Sequence, residues 1–291
     1  MFDRIKWLHV EPITRCNAWC SSCARNNSGF GLTNFVIEDL SSDRLKEVIR
    51  QLPNLETVQF CGSLGDPCAS KIIDQQLKIV KDKSLNLQLH TNGSLRTASW
   101  WRELAKMFGE KIEVWFAIDG MEDTHSIYRQ GTNWQKIIDN ASAFIDAGGR
   151  AIWQFIPFAH NEHQIKDCMR LATHLGFHRF EFVKNARYKE KNFHYKTGKP
   201  LEIKTWSQHE SQWHRRAGIL DKVQKKTIKN TVLKKDCMHL AMPSIFLNAS
   251  GIISPCCYFG NRSLSEHNID QQLTQKRYNR ICLEHCGSNH N

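Results

Sequence analysis

Short apolar runs recur along the first 184 residues, and each is followed by a longer stretch with the amphipathic period of a helix. The runs predict six strands: Lys6–Val10, Thr57–Cys61, Asn86–His90, Ile112–Asp119, Arg150–Phe158 and Arg179–Lys184. The amphipathic stretches predict helices at Ser42–Gln51, Ser70–Lys81, Ala98–Phe108, Asn133–Ala147 and Glu162–Leu175. Strands that alternate with helices favour parallel pairing. The pattern therefore predicts an α/β fold, an open or partial (β/α)6 barrel of the TIM type.

The pattern weakens after residue 185. Residues 186–235 are polar with some helical character, and we expect a connector there. Ser244–Asn248 and Ile252–Ser254 flank Gly251 and predict a small hairpin. We expect three parts: a barrel over 1–185, a basic connector over 186–235 and a cysteine-rich region over 236–291. The last part has too little apolar mass to form a core alone, so it needs docking or a metal.

Charge is distributed unevenly along the 291 residues. The formal net charge is +11. Residues 184–235 carry 15 Lys or Arg and four acids, so this segment alone accounts for 15 − 4 = +11. Such a block indicates either an anionic partner or a solvated connector. The sequence has no apolar run long enough to span a membrane and no signal peptide at its start, so we expect a cytoplasmic protein without a membrane partner.

The number and spacing of the cysteines indicate a metal-binding protein. The chain has 11 cysteines, and without a secretion signal they are more often metal ligands than disulfides. Cys16, Cys20 and Cys23 follow the first predicted strand with C-x3-C-x2-C spacing. Three thiolates suit three irons of a [4Fe–4S] cluster and leave the fourth iron open, whereas structural zinc needs a fourth ligand. A zinc or scaffold site is the alternative.

Turns after the next three strands extend this pattern. They are Gly62–Pro67 (GSLGDP), His90–Gly93 (HTNG) and Ala117–Gly120 (AIDG), with Arg129 nine residues after the last. Together with the cysteines, these motifs resemble the radical S-adenosylmethionine (SAM) superfamily over about residues 6–184. The resemblance implies SAM contacts from Gly65 and Asp66 to the amino group, from Thr91 and Asn92 beside the ribose, and from Arg129 to the carboxylate. The resemblance does not identify a catalytic acid or base.

Three positions depart from the pattern of the family. Asp66 stands where glutamate is usual, Ser22 where an aromatic residue often borders the adenine, and Ala117 where a serine hydroxyl is usual. Arg129 then carries more of the carboxylate contact, and a surface ion pair is its alternative role. Asp119 either orients its own turn or contacts the cofactor. His125 is more typical of a residue at a helix start than of a catalytic group.

The C-terminal cysteines resemble the SPASM and Twitch extensions of this superfamily. A glycine turn precedes Pro255-Cys256-Cys257, and a distant pair follows. The resemblance implies a second, auxiliary [4Fe–4S] cluster held by Cys237, Cys256, Cys282 and Cys286. Cys257 is the spare, although adjacent cysteines cannot be ranked from sequence, and a zinc site of the same thiolates is the alternative. We expect Cys61, Cys68 and Cys168 to be small buried hydrophobes.

The resemblance also implies the reaction. A radical SAM enzyme cleaves SAM reductively to a 5′-deoxyadenosyl radical, which abstracts hydrogen from a substrate. We expect modification of a peptide or protein first, with a nucleotide, sugar or nucleic acid as alternatives. Flavodoxin or ferredoxin is the expected electron donor, and weak nucleic-acid binding by the basic segment is expected. A non-enzymatic iron–sulfur or zinc protein is the alternative of a different class.

Overall fold

A computed structural model describes residues 2–23, 25–26, 36–183, 194, 196–204 and 243–257. Most of the predicted connector lies outside these residues, and so do Cys237, Cys282 and Cys286. The three-part division of the chain and the nucleic-acid binding predicted for residues 184–235 therefore stay predictions.

The described chain forms one eight-stranded sheet. Its strands in chain order are β1 (Trp7–Val10), β2 (Thr57–Phe60), β3 (Asn86–Thr91), β4 (Ile112–Ala117), β5 (Arg150–Phe155), β6 (Arg179–Phe182), β7 (Ser244–Leu247) and β8 (Ile253–Ser254). They lie in the order β6-β5-β4-β3-β2-β1-β7-β8. All neighbours are parallel except β7 and β8. The predicted open α/β barrel of six parallel strands is confirmed.

Helices connect the parallel strands. They are α1 (Ser42–Arg50), α2 (Ile73–Asp82), α3 (Ala98–Phe108), α4 (Glu122–Tyr128), α5 (Trp134–Asp146) and α6 (Ile165–His174). Side-chain caps begin three of them: the hydroxyls of Ser41 and Thr97 and the amide oxygen of Asn133 accept backbone N–H groups of α1, α3 and α5. The sequence pattern did not predict α4, because seven residues are too few to display a helical period.

The two faces of the sheet differ in polarity. Residues such as Leu8, Val58, Leu87 and Val114 are fully buried and join the apolar core. Because side chains alternate along a strand, the intervening residues share the opposite, interior face. These are polar or aromatic and only partly buried, and they include His9, Gln59, His90, Trp115 and Gln154. The interior is therefore a polar chamber that opens at the carboxyl ends of the strands.

The predicted C-terminal hairpin is present and joins the barrel sheet. Strand β7 pairs in parallel with β1, matching Trp7 to Ser244 and Val10 to Leu247. The turn that follows contacts α1, since Arg44 Nε donates to the Gly251 carbonyl at 2.9 Å. This docking supplies the burial that the hairpin lacks by itself.

Candidate functional site

Three cysteines line one cavity at the carboxyl ends of the strands. Cys16, Cys20 and Cys23 lie on the loop after β1, and the cavity has a volume of about 390 Å³. The loop is held to the rest of the site through its backbone, because Trp19 N donates to Gln130 O at 2.7 Å. A second bond inside the loop joins Cys23 N to Cys20 O at 3.0 Å. The fold thus presents all three thiols to a common space.

Burial sets the acidity of two of these thiols. Desolvation raises the pKa of Cys16 to about 12, and Asp66 and Cys20 add to the shift. Burial likewise raises the pKa of Cys20 to about 11, while Arg129 opposes the shift. Both thiols are therefore protonated at neutral pH and release protons when they bind a metal.

The glycine-rich turn after β2 leaves no room for side chains at two of its positions. A Cβ at Gly65 would lie 1.9 Å from the Ile13 carbonyl oxygen, and one at Gly62 would lie 1.9 Å from the Gly65 oxygen. Glu11, which follows β1, holds the turn from below. Its carboxylate accepts Leu64 N at 2.6 Å and Gly65 N at 3.3 Å. Sequence reasoning missed Glu11, although an acidic residue directly after a buried strand was a usable signal.

Asp66 links this turn to the one after β3. Its carboxylate accepts Cys68 N at 2.9 Å, Thr91 Oγ1 at 3.0 Å and Asn92 N at 2.7 Å. Burial raises its pKa, and these hydrogen bonds oppose the shift. The side chain of Asp66 therefore fixes two turns relative to each other, although the residue also lines the cavity.

Asn92 extends the link to the cysteine loop. Its Nδ2 donates to Asn17 Oδ1 at 2.8 Å and lies 3.8 Å from Cys16 Sγ. Its Oδ1 accepts both the backbone N–H and the hydroxyl of Ser94. Thr91, Asn92 and Gly65 all line the same cavity as the cysteines.

Arg129, which lines the same cavity, forms a buried ion pair. Its Nε donates to Asp119 Oδ2 at 2.6 Å, and the exposed side-chain fractions are 15% for Arg129 and 0% for Asp119. Its Nη1 lies 3.8 Å from Cys20 Sγ. Burial lowers the pKa of Arg129, but the Asp119 carboxylate outweighs that effect and the net shift is upward. The alternative of a surface ion pair is wrong.

His125 supports this ion pair from α4. Its Nδ1 accepts the backbone N–H of Asp119 at 3.1 Å, so the ring proton sits on Nε2, which lies 3.0 Å from Thr132 Oγ1. The Thr132 hydroxyl donates in turn to the Arg129 carbonyl at 2.6 Å. Burial, aided by Arg129, lowers the pKa of His125 to about 3. His125 is thus a neutral structural histidine, in keeping with the expected helix-start role.

A band of interior side chains lies below the rim. Gln59 Nε2 is 3.0 Å from His90 Nε2, and the His90 ring stacks on Trp115 with centroids 4.9 Å apart. Burial lowers the pKa of His90 to about 3. His90 and Gln154 also line the cavity, together with Tyr128 from α4. Sequence reasoning missed Gln154 and Tyr128, because neither belongs to a recognisable motif.

The cysteines outside the triad differ among themselves. Cys68 and Cys168 are buried hydrophobes as expected, whereas Cys61 lines the cavity beside the triad. Burial raises the pKa of Cys61 to about 12, and its neighbour Cys257 adds to the shift. Cys256 is buried directly after β8. The other three predicted ligands of an auxiliary cluster lie outside the described residues.

The donor set at the rim fits an iron–sulfur cluster and its SAM. Three thiols face one cavity that has the size of an ordinary ligand pocket, and Gly62 and Gly65, which have only backbone atoms, line the same cavity. No three His, Cys, Asp or Glu side chains converge on a single metal position among the described residues. In a cubane each cysteine binds a different iron, so its ligands need not converge. Within the same residues, none of the helices has the length and apolar character needed to cross a bilayer.

Known proteins resemble this chain in sequence. The radical SAM superfamily model matches residues 10–172. A tungsten-containing aldehyde ferredoxin oxidoreductase cofactor-modifying protein of Pyrococcus furiosus is 25% identical over 130 residues. That match covers 44% of this chain, which spans only 34% of the relative's length.

Solved structures resemble the fold. SuiB of Streptococcus suis, solved with S-adenosylmethionine, has a TM-score of 0.67 at 13% identity, over 97% of this chain and 68% of SuiB. SuiB bound to its precursor peptide SuiA gives the same TM-score at 14% identity, over 96% of this chain and 66% of SuiB. anSMEcpe with bound AdoMet has a TM-score of 0.52 at 19% identity, over 65% of this chain and 54% of that protein.

The family match covers more than half of the chain, and its residues include all three cysteines, the three turns and Arg129. The expected fold, the cysteine cavity and the family match agree. The chain belongs to the radical SAM superfamily, a family of iron–sulfur-dependent enzymes, and this membership implies a [4Fe–4S] cluster and SAM.

Proposed function

We propose that Cys16, Cys20 and Cys23 hold the SAM-binding cluster and that the enzyme uses its radical to modify a peptide or protein. The observation that carries the site assignment is the shared cavity: the three cysteines and the five predicted SAM contacts all line it. Those contacts are Gly65, Asp66, Thr91, Asn92 and Arg129. When bound there, the cluster and SAM supply one-electron cleavage and hydrogen abstraction.

Different residues of the chain contact different parts of SAM. The Gly62–Gly65 turn offers backbone groups to the amino end, and its close packing against the Ile13 carbonyl, which leaves no room for a Cβ at Gly65, fixes the position of those groups. Arg129 offers a charge-assisted bond to the carboxylate from a site that is already desolvated. Thr91 and Asn92 border the ribose, and Asp66 keeps their turn in register with the glycine turn.

A peptide or protein substrate is the best-supported class. The likeness to SuiB, which has been solved with its precursor peptide, supports it at the level of the fold. The chamber below the rim adds neutral polar and aromatic groups, Gln59, His90 and Trp115, which suit amide and hydroxyl groups of a substrate. The electron donor is proposed to be a flavodoxin or ferredoxin.

A second cluster in the C-terminal region is part of this proposal. Cys237, Cys256, Cys282 and Cys286 are its proposed ligands, with Cys257 as the alternative to Cys256. The docking of β7 on β1 supports it, because the hairpin carries Cys256 to the barrel sheet. Iron analysis after anaerobic reconstitution is expected to give about eight irons per chain, and about four after Cys282 and Cys286 are changed to Ala. Four irons in both proteins would remove the auxiliary cluster.

The test of the main assignment is SAM cleavage by the reconstituted, dithionite-reduced protein. Wild type is expected to form 5′-deoxyadenosine, and Cys20→Ala is expected to form none because one of three cluster ligands is lost. Cys168→Ala is the matched control, since this buried cysteine lies on α6 away from the cavity. Cleavage near the wild-type level in Cys20→Ala would contradict the ligand assignment.

The substrate class needs a separate readout. Peptides derived from proteins encoded beside this gene, a single-stranded RNA and a nucleoside phosphate are offered in turn to the same enzyme. The proposal expects only a peptide to raise the rate of 5′-deoxyadenosine formation and to gain a mass change. Turnover of the RNA or the nucleotide, with none of the peptides, would replace the peptide class.

A further inference from the structure

Two buried charged side chains, Arg129 and Asp119, lie one behind the other beside the Cys20 thiol of the cysteine triad. Arg129 Nη1 is 3.8 Å from Cys20 Sγ, within the range of an N–H···S hydrogen bond. On its other side the same guanidinium donates from Nε to Asp119 Oδ2 at 2.6 Å. Arg129 is thus nearer to the sulfur, and Asp119 lies behind it.

Both charges are fixed in place by the surrounding backbone. Asp119 Oδ1 accepts Ile156 N at 2.7 Å, and the backbone N–H of Asp119 donates to His125 Nδ1 at 3.1 Å. The carbonyl of Arg129 accepts the Thr132 hydroxyl at 2.6 Å. Three segments therefore hold the pair: the turn after β4, helix α4 with the loop that follows it, and the loop after β5. Charges held this way cannot move to screen a change at the sulfur.

Such a pair acts on the electron affinity of a bound cluster. The reduction potential of an iron–sulfur cluster depends on nearby charge, on hydrogen bonds to its sulfurs and on solvent exposure. A neighbouring cation or N–H donor favours the reduced form, which carries one more negative charge, and a neighbouring anion disfavours it. Because both side chains are buried, water screens their fields weakly.

We propose that the Asp119–Arg129 ion pair sets the reduction potential of the cluster at Cys16, Cys20 and Cys23. Arg129 raises the potential and Asp119 lowers it, and the measured value reflects their balance. This inference rests on the proposed function, which assigns the cluster to these cysteines. Arg129 then affects how readily the cluster accepts an electron, in addition to its proposed contact with the SAM carboxylate. Asp119 holds Arg129 in position and opposes its effect on the reduction potential.

Opposite signs for the two residues make the idea testable. The reconstituted Cys282→Ala/Cys286→Ala protein, in which only the cluster of the cysteine triad is expected, is titrated with a series of reducing agents in the absence of SAM, and the reduced cluster is counted by electron paramagnetic resonance. At the wild-type midpoint, Arg129→Gln is expected to lower the reduced-to-oxidised ratio about tenfold, which is about 59 mV for a one-electron couple. Asp119→Asn is expected to raise the ratio about threefold or more. The double variant is expected to lie between the two.

A merely structural role would not give this pattern, because loosening the site from either side would shift the potential in one direction. Lys78→Gln is the charge-matched control: Lys78 lies on α2 with 72% of its side chain exposed, and it is expected to keep the wild-type midpoint. If Arg129→Gln fails to fold by circular dichroism, Asp119→Asn and the neutral double variant still carry the test. Shifts of the same sign, or no shift in Asp119→Asn, would overturn the inference.

Iron and sulfide analysis separates this inference from the proposed function. A loss of about four of the eight expected irons per chain in Cys20→Ala, combined with potentials that do not follow the predicted signs, would overturn the role of the ion pair alone. An iron content that does not change in Cys20→Ala would overturn the ligand assignment and the inference together.

Discussion

Two aspartates are buried near the cavity, Asp66 and Asp119, and their surroundings differ. On the β2–β3 side, Asp66 accepts only neutral donors: two backbone N–H groups and the hydroxyl of Thr91. On the β4–α4 side, Asp119 accepts a backbone N–H of Ile156 and the guanidinium of Arg129. Burial raises the pKa of both carboxyls.

The difference indicates that the two aspartates have different roles. Asp66 joins two turns whose positions must match, so its side chain is part of the scaffold. Asp119 holds a cation at the cavity wall, where a charge acts on a ligand and on the neighbouring sulfur. A change of Asp66 should therefore be measured first as lost stability, and changes of Asp119 and Arg129 as altered binding and potential.

The largest expected effect follows from Asp66→Ala. Three buried donors lose their acceptor, and each unsatisfied donor costs about 1–3 kcal/mol, so the free energy of unfolding should fall by at least about 3 kcal/mol. Urea unfolding measures it. Thr91→Val is the graded control, with a smaller expected loss of about 1–3 kcal/mol, because it removes one of the three donors to Asp66 and leaves the Gly93 N–H without its acceptor. A stable Asp66→Ala protein with weakened SAM binding would erase the difference between the two sides.

Arg129→Ala should act on binding instead. A charge-assisted hydrogen bond contributes about 1.5–3 kcal/mol, so SAM affinity should fall roughly 10- to 100-fold. Arg129→Lys should lose less, because it keeps the charge but not the paired geometry of the guanidinium. Equilibrium dialysis with labelled SAM gives both dissociation constants. Equal affinity in Arg129→Ala and wild type would remove Arg129 from the SAM site.

His125 should make the stability of the protein depend on pH. Its pKa is about 3 in the folded protein and about 6.5 when unfolded, so between these values the unfolded chain binds the additional proton. Stability is therefore lost as the pH falls below about 6.5, by about 1.4 kcal/mol for each unit. Comparing urea unfolding at pH 7.5 and 5.5, wild type should lose about 1.4 kcal/mol more than His125→Gln. Equal losses would show that His125 is not held neutral.

The smallest expected effect is a gain. Ala117 lines the cavity and is buried at the end of β4, where the resemblance to the family leads us to expect a serine hydroxyl. Ala117→Ser should add one hydrogen bond to the SAM carboxylate, a net contribution of about 0.5–1.5 kcal/mol or roughly two- to tenfold in affinity. Ala117→Val is the control, because it enlarges the side chain without a hydroxyl. Weaker binding in Ala117→Ser than in Ala117→Val would place the carboxylate elsewhere.

The strands and most helices could be predicted because their apolar period is long and regular. Short motifs, such as the cysteine spacing and the Thr91-Asn92-Gly93 turn, also predicted many of the side chains at the cavity. Glu11, Tyr128 and Gln154 were not found, since their place depends on how separate strands end at one edge of the sheet. The burial of Arg129 depends on its pairing with Asp119, which sequence spacing alone did not distinguish from a surface contact.

Strand boundaries were the other source of error. The predicted strands Ile112–Asp119 and Arg150–Phe158 end earlier, at Ala117 and Phe155. The missing residues, which are apolar except for Asp119, leave the sheet to form the rim, where the Ile156 N–H donates to the Asp119 carboxylate. A hydrophobic run in the sequence does not show where strand pairing stops, because the residues of the rim are as buried as those of the strand at these positions.

We propose that the cluster of the cysteine triad and SAM occupy one cavity with Arg129 at its wall. Electron paramagnetic resonance of the reduced Cys282→Ala/Cys286→Ala protein, with and without SAM, isolates this cluster and reports whether SAM binds beside it. Saturating SAM is expected to change the spectrum, and Arg129→Ala in the same background is expected to need roughly 10- to 100-fold more SAM for the same change. A spectrum that stays unchanged while dialysis shows SAM bound would contradict the shared site.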